Sequence, residues 1–66
     1  MDITLNGEPR SLANRLSVRQ LLVEEGLGER RVAVELNGEI VPRSRHEDQL
    51  VTGGDRVEIV HALGGG

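Results

Sequence analysis

The sequence predicts an α+β domain in which one mixed β-sheet is covered by a single helix. Three observations carry this expectation: short runs where apolar and polar residues alternate, Asn-Gly pairs set between such runs, and one helix-capping signature placed just before an apolar helical stripe. A chain of 66 residues has room for one small core, because a domain of this size buries only about 60% of the surface its unfolded chain exposes.

The elements come in order along the chain. Ile3 and Leu5 point to one side of a first strand, and Asn6-Gly7 supplies the two positive-φ positions of a tight hairpin turn. The return strand runs from about Glu8 to Leu12. Ser17-Val18-Arg19-Gln20 is an S-x-x-Q capping box, in which the Ser17 hydroxyl takes the Gln20 amide proton while the Gln20 side chain reaches back. A helix over Val18 to Glu25 is expected, with Leu16 stapled against Leu21, a stripe of Val18, Leu21, Leu22 and Glu25, and Gly26 as the stop. Val32, Val34 and Leu36 then alternate with Ala33 and Glu35 as a strand with one buried and one open face. Asn37-Gly38 repeats the hairpin signal. Ile40 and Val41 make a brief extended piece that Pro42 ends, and Arg43 to Gln49 is polar enough for a surface loop or a single helical turn. Gly53-Gly54-Asp55 turns the chain into the last strand, Val57 to Ala62, with Val57, Ile59 and His61 on one face and Glu58, Val60 and Ala62 on the other.

Hairpin, helix, strand, short strand and final strand in this order make a β-grasp arrangement, with the first and last strands parallel neighbours. The expected core is Ile3, Leu5, Leu12, Val18, Leu21, Leu22, Val32, Val34, Leu36, Val41, Leu50, Val57 and Ile59. The domain is expected to span residues 1–62, followed by a flexible glycine tail at 63–66.

Composition excludes several functions. The formal charge is -3, with eight arginines, no lysine and no aromatic residue. Nucleic-acid binding, which needs clustered cations and stacking platforms, is therefore not expected. A mildly acidic surface suits a protein partner with a basic docking site. Without cysteine there is no thiol nucleophile, disulfide or Cys-based metal site. No apolar run approaches the ~20 residues that span a bilayer, and Met1 to Leu5 alternates without the basic and apolar regions of a signal peptide. A cytoplasmic protein with no membrane partner, monomeric on its own, is the expectation.

No catalytic constellation or bound cofactor emerges. His46 in a polar loop and His61 near the end read as surface histidines, and Glu24-Glu25 and Glu47-Asp48 are sequence neighbours that diverge from one another. The unusual feature is the ending, Leu63-Gly64-Gly65-Gly66. Glycines present little cross-section and tolerate any φ, so such a segment can thread a channel closed to other residues. At about 3.3 to 3.6 Å per residue, it reaches roughly 13 Å beyond the last strand. The plain alternative is a frayed, idle tail.

The opening strand with Asn6-Gly7-Glu8, the run from Val32 to Arg43, and Gly54-Asp55-Arg56-Val57-Glu58-Ile59-Val60 leading into the glycines resemble the ThiS family of ubiquitin-like sulfur carriers. Two departures are a third terminal glycine and the absence of a glycine in Ala13-Asn14-Arg15-Leu16. The resemblance implies a protein that is not an enzyme. Its Gly66 carboxylate is adenylated by a ThiF-type enzyme that consumes ATP and magnesium. Sulfur from a cysteine desulfurase, delivered as a persulfide, then converts it to a thiocarboxylate, which a ThiG-type thiazole synthase uses to build the thiazole of thiamine. Gly64 and Gly65 are implied to thread the activating enzyme. In the same arrangement Glu58, Val60 and Ala62 lie outward beside Ala33 and Glu35, as an apolar centre with an acidic rim for partners. Two alternatives remain at this point: a carrier for molybdopterin or an amino-acid pathway, and a ubiquitin-like interaction module with an inert tail.

Overall fold

The computed structural model describes residues 1–61. The strand end expected at Ala62, the tail at 63–66 and the roles expected of Gly64, Gly65 and Gly66 lie outside them. The elements are β1 (Asp2–Leu5), β2 (Glu8–Ser11), β3 (Leu16–Ser17), α1 (Val18–Glu24), β4 (Val32–Leu36), β5 (Glu39–Val41), a 3-10 turn (Arg43–Arg45), β6 (Leu50–Val51) and β7 (Arg56–His61). Five strands form a mixed sheet in the order β2-β1-β7-β4-β5, in which β1 and β7 are parallel and the other pairs antiparallel. The expected β-grasp architecture is present.

Local chemistry explains most of the boundaries. Asn6 and Gly7 sit at φ 52° and 82°, and Asn37 and Gly38 at 54° and 87°, so both hairpins use the paired positive-φ turn that matches strand twist. Both halves of the capping box are made: Ser17 Oγ accepts from the Gln20 N–H at 3.1 Å, and Gln20 Oε1 accepts from the Ser17 N–H at 2.9 Å. Helix α1 stops one residue earlier than the sequence suggests. Glu25 is its C-cap, and Gly26 comes next at φ 77°. The Glu25 carboxylate pairs with Arg10 on β2, with Nη2 donating to Oε1 at 3.2 Å. That hydrogen bond, and then the charge of Glu25, raise the Arg10 guanidinium further above its ordinary pKa.

The inner face of the sheet packs on Val18, Leu21 and Leu22 of α1, with Leu21, Val18, Val34, Val51 and Val57 fully enclosed. Three core expectations change. Leu50 is 47% exposed and Val51 takes the buried place instead. These two residues form β6, which pairs with β3 in a second, two-stranded sheet through Leu16↔Val51 and Ser17↔Leu50. The pairing turns Val51 inward together with Leu16, which is also buried. Val32 and Leu36 lie against the cluster only partly buried.

His46 is buried, contrary to the surface reading. It caps the 3-10 turn, and its Nε2 lies 3.1 Å from the Val41 carbonyl oxygen. A carbonyl only accepts, so Nε2 carries the proton. His61 has the parity of the core face but is exposed, because its partner Val32 is itself half-buried and the core thins at that end of the sheet.

Candidate functional site

The outward face of the sheet carries the described residues expected to meet partners. Alternation along β7 sends Val57 and Ile59 into the core and leaves Val60 on the opposite side, 57% exposed. Register then sets its neighbours. Val60 pairs with Ala33, which is exposed, and Glu58 pairs with Glu35, both half-buried. On the far side of Glu35 stands Ile40, 62% exposed and opposite it in the β4–β5 ladder. Val60, Ala33, Glu58 and Glu35 thus share one surface, as the sequence suggests.

Ile40 belongs to the same face, although reading the sequence does not single it out. Its signal is available: Val41 is buried against Val34, so period 2 points Ile40 outward, beside Glu35. With Ile40 included, three apolar side chains flank a pair of facing carboxylates. Like charges directly across two strands lower sheet stability by roughly 0.2 to 1 kcal/mol. Glu35 opposite Glu58 is therefore a small cost to the free domain, one that a cationic group from outside would remove.

The strand carrying this face is held on both sides by the asparagines of the two tight turns. Asn6 Oδ1 accepts from the Ile59 N–H at 2.7 Å, and Asn37 Oδ1 accepts from the Arg56 N–H at 2.8 Å. Their own N–H groups donate to the carbonyls of Val57 at 2.9 Å and Arg56 at 2.8 Å. Each turn thus continues the ladder past the end of its strand and fixes the register of β7.

Among the described residues, no three His, Cys, Asp or Glu side chains cluster in a way that could hold a metal ion. No helix among them is long and apolar enough to cross a membrane. Neither His46 nor His61 joins a carboxylate pair among the described residues. Chemically, the arrangement offers apolar area and two facing carboxylates to a complementary surface.

Fold and face together define a β-grasp domain whose outward sheet face exposes an apolar patch around two facing carboxylates. Residues 3–66 match the ThiS family, and the chain belongs to that family. All 66 residues align at 46% identity with part of a thiazole synthase from Paramagnetospirillum magneticum and at 36% with part of one from Magnetococcus marinus, in each case over 20% of the relative. The chain thus spans about one fifth of these two relatives. A crystal structure of the thiamine biosynthesis protein (ThiS) from Geobacter metallireducens superposes with a TM-score of 0.88 at 36% identity, covering all of both chains. The solution structure of a thiamine biosynthesis protein from the same organism gives 0.82 at 38% identity, covering 100% of this chain and 88% of the other.

Proposed function

We infer that this chain is a sulfur carrier for thiazole formation in thiamine biosynthesis, acting through the Gly66 carboxylate without catalysing any step itself. The observation that carries this reading is the family match over residues 3–66, which runs from the first strand through the last glycine.

The chemistry required of such a carrier is simple on its own side. A carboxylate is a poor electrophile, so a ThiF-type enzyme must activate it. The Gly66 carboxylate oxygen attacks the α-phosphorus of ATP, with magnesium, and expels pyrophosphate. A persulfide terminal sulfur then attacks the acyl carbon and expels AMP, leaving an acyl disulfide. A second thiol cleaves that S–S bond, is itself oxidised to a disulfide, and leaves the thiocarboxylate. This chain has no cysteine, so both persulfide and thiol belong to partner proteins, the former charged by a cysteine desulfurase. The thiocarboxylate sulfur, a soft nucleophile, is then passed to a ThiG-type thiazole synthase. Gly64 and Gly65 serve as the narrow stem that brings it there.

Docking is assigned to the outward face. Val60, Ala33 and Ile40 supply apolar area, Glu58 and Glu35 select a basic partner, and Ala62 is expected to extend the patch. That two proteins named thiazole synthase contain a counterpart of the whole chain supports thiazole synthase as the acceptor.

The test is the intact mass of the protein isolated from cells that carry the partner enzymes. A gain equal to the replacement of one oxygen by sulfur, localised to Gly66 by fragmentation, is expected. An unmodified terminus in cells actively making thiazole would sink the carrier reading and leave a docking module.

A further inference from the structure

A second site lies away from the docking face, in a concavity of about 200 Å³. Three of the eight arginines of this net-negative chain line it: Arg19 from α1, Arg30 from the loop after α1, and Arg43 from the 3-10 turn. Leu22, Val32 and Ser44 are also in its wall. One carboxylate, Glu47, also lines it, so three positive charges face one negative. Among the described residues the ion pair found is Arg10 with Glu25, and none of the three pocket guanidinium groups is neutralised by a carboxylate in this way.

Backbone bonds hold together the three segments that carry these arginines. The Arg19 N–H donates to the His46 carbonyl at 2.9 Å and the His46 N–H to the Arg43 carbonyl at 3.1 Å, which ties the start of α1 to the 3-10 turn. The Arg30 N–H donates to Leu27 at 3.0 Å, and the Leu27 N–H to Leu22 at 2.8 Å, so the third arginine is anchored to the same helix. The buried His46 ring, bonded to Val41, stiffens the turn from below. Bringing three like charges to one concavity raises the energy of the free protein, and an anion relieves it.

We propose that this pocket binds a phosphate group, as inorganic phosphate or as the phosphate of a small monoester. The stoichiometry of donors favours phosphate over carboxylate. Three guanidinium groups are matched better by the three terminal oxygens and the larger charge of a phosphate monoester than by the two oxygens and single charge of a carboxylate. Room is ample, since roughly 10–15 Å³ suffices for one water. The site is independent of the sulfur-carrier reading, because none of its residues belongs to the docking face or the tail.

The experiment is an amide and arginine Nε–H NMR titration of the full chain with inorganic phosphate, glycerol 3-phosphate and acetate, each at constant ionic strength set with sodium chloride. Saturable shifts centred on Arg19, Gly28, Arg30 and Ser44 are expected with both phosphates and not with acetate. Saturation by one phosphate alone also supports the site and shows which form it takes. Arg43→Gln is expected to weaken binding by about tenfold, the loss of one charge-assisted contact, while Arg45→Gln, outside the pocket, leaves it unchanged. Linear shifts like those of added chloride, equal saturation by acetate, or an Arg43→Gln protein that binds as tightly as the parent would each overturn the proposal.

Discussion

The side-chain oxygen of Asn6 and the backbone N–H of Ile59, 53 residues apart in sequence, form a 2.7 Å hydrogen bond that joins the first turn of the domain to its last strand. Asn6 therefore has two tasks: it supplies the positive φ of the hairpin turn, and it occupies a donor in β7 that has no strand partner at that point.

The two tasks separate by mutation. Asn6→Gly keeps the positive φ and loses the acceptor, and is expected to lower unfolding free energy by about 1 to 3 kcal/mol, the cost of leaving a part-buried donor unpaired. Asn6→Asp retains both an acceptor and tolerance of the left-handed region, and is expected to stay closer to the parent. Urea denaturation of the two proteins checks this, and equal loss in both would assign the effect to something other than the acceptor.

This relationship also marks where reading the sequence reaches its limit. The Asn-Gly turns, the capping box and the strand from Val32 to Leu36 are legible because their signals are local: a dihedral requirement, a four-residue hydrogen-bond pattern, a period of 2. Leu50 and Val51 exchange places because a two-residue strand has no period, and only its pairing with Leu16 and Ser17 decides which of the two turns inward. His46 is flanked by Arg45 and Glu47, so local polarity argues for the surface, while its burial comes from a backbone turn and a bond to Val41. On the candidate face, Val60, Ala33, Glu58 and Glu35 come from alternation, whereas the convergence of Arg19, Arg30 and Arg43 needs the three-dimensional course of three segments.

The exchanged places of Leu50 and Val51 give a direct test. Val51→Ala is expected to cost roughly 1.5 to 3 kcal/mol, since Val51 is fully enclosed and truncation leaves a void. Leu50→Ala is expected to change stability by no more than about 0.5 kcal/mol. A larger loss at Leu50, read from thermal or urea unfolding, would contradict the inward placement of Val51.

Glu58→Gln is expected to move stability and docking in opposite directions. Removing one of the two facing carboxylates relieves repulsion with Glu35, a gain of about 0.2 to 1 kcal/mol that shrinks as salt is added. The same change removes half of the acidic signal offered to a basic partner, so association with the ThiF-type enzyme is expected to slow most at low ionic strength. Association rates against salt, beside unfolding curves, read both effects; slower association that does not depend on salt would count against electrostatic selection by this pair.

Val60→Arg tests the apolar part of the same face. Val60 is 57% exposed, so the fold is expected to tolerate the arginine. Binding to the activating enzyme or to thiazole synthase is expected to weaken by more than about 1 kcal/mol if Val60 sits near the centre of the contact. Ile40→Arg, on the neighbouring strand, is expected to behave alike. Parent-like affinity for both, measured by calorimetry, would move the docking site away from this face.

Gly65→Val tests whether the glycines are threaded through a partner. The change keeps the Gly66 carboxylate and adds only a branched side chain next to it. Gly65 lies beyond the strands and helix that build the described core, so thermal stability is expected to stay within about 0.5 kcal/mol. Inside a channel that admits only a bare main chain, the β-branch has no room and narrows the accessible backbone angles. Adenylation by the ThiF-type enzyme, read as ATP–pyrophosphate exchange, is therefore expected to collapse, while affinity, set by the docking face around Val60, persists. Binding and turnover would then separate at a single residue. Exchange at the parent rate would show that the stem is not threaded, and the glycines would be left with no part in activation.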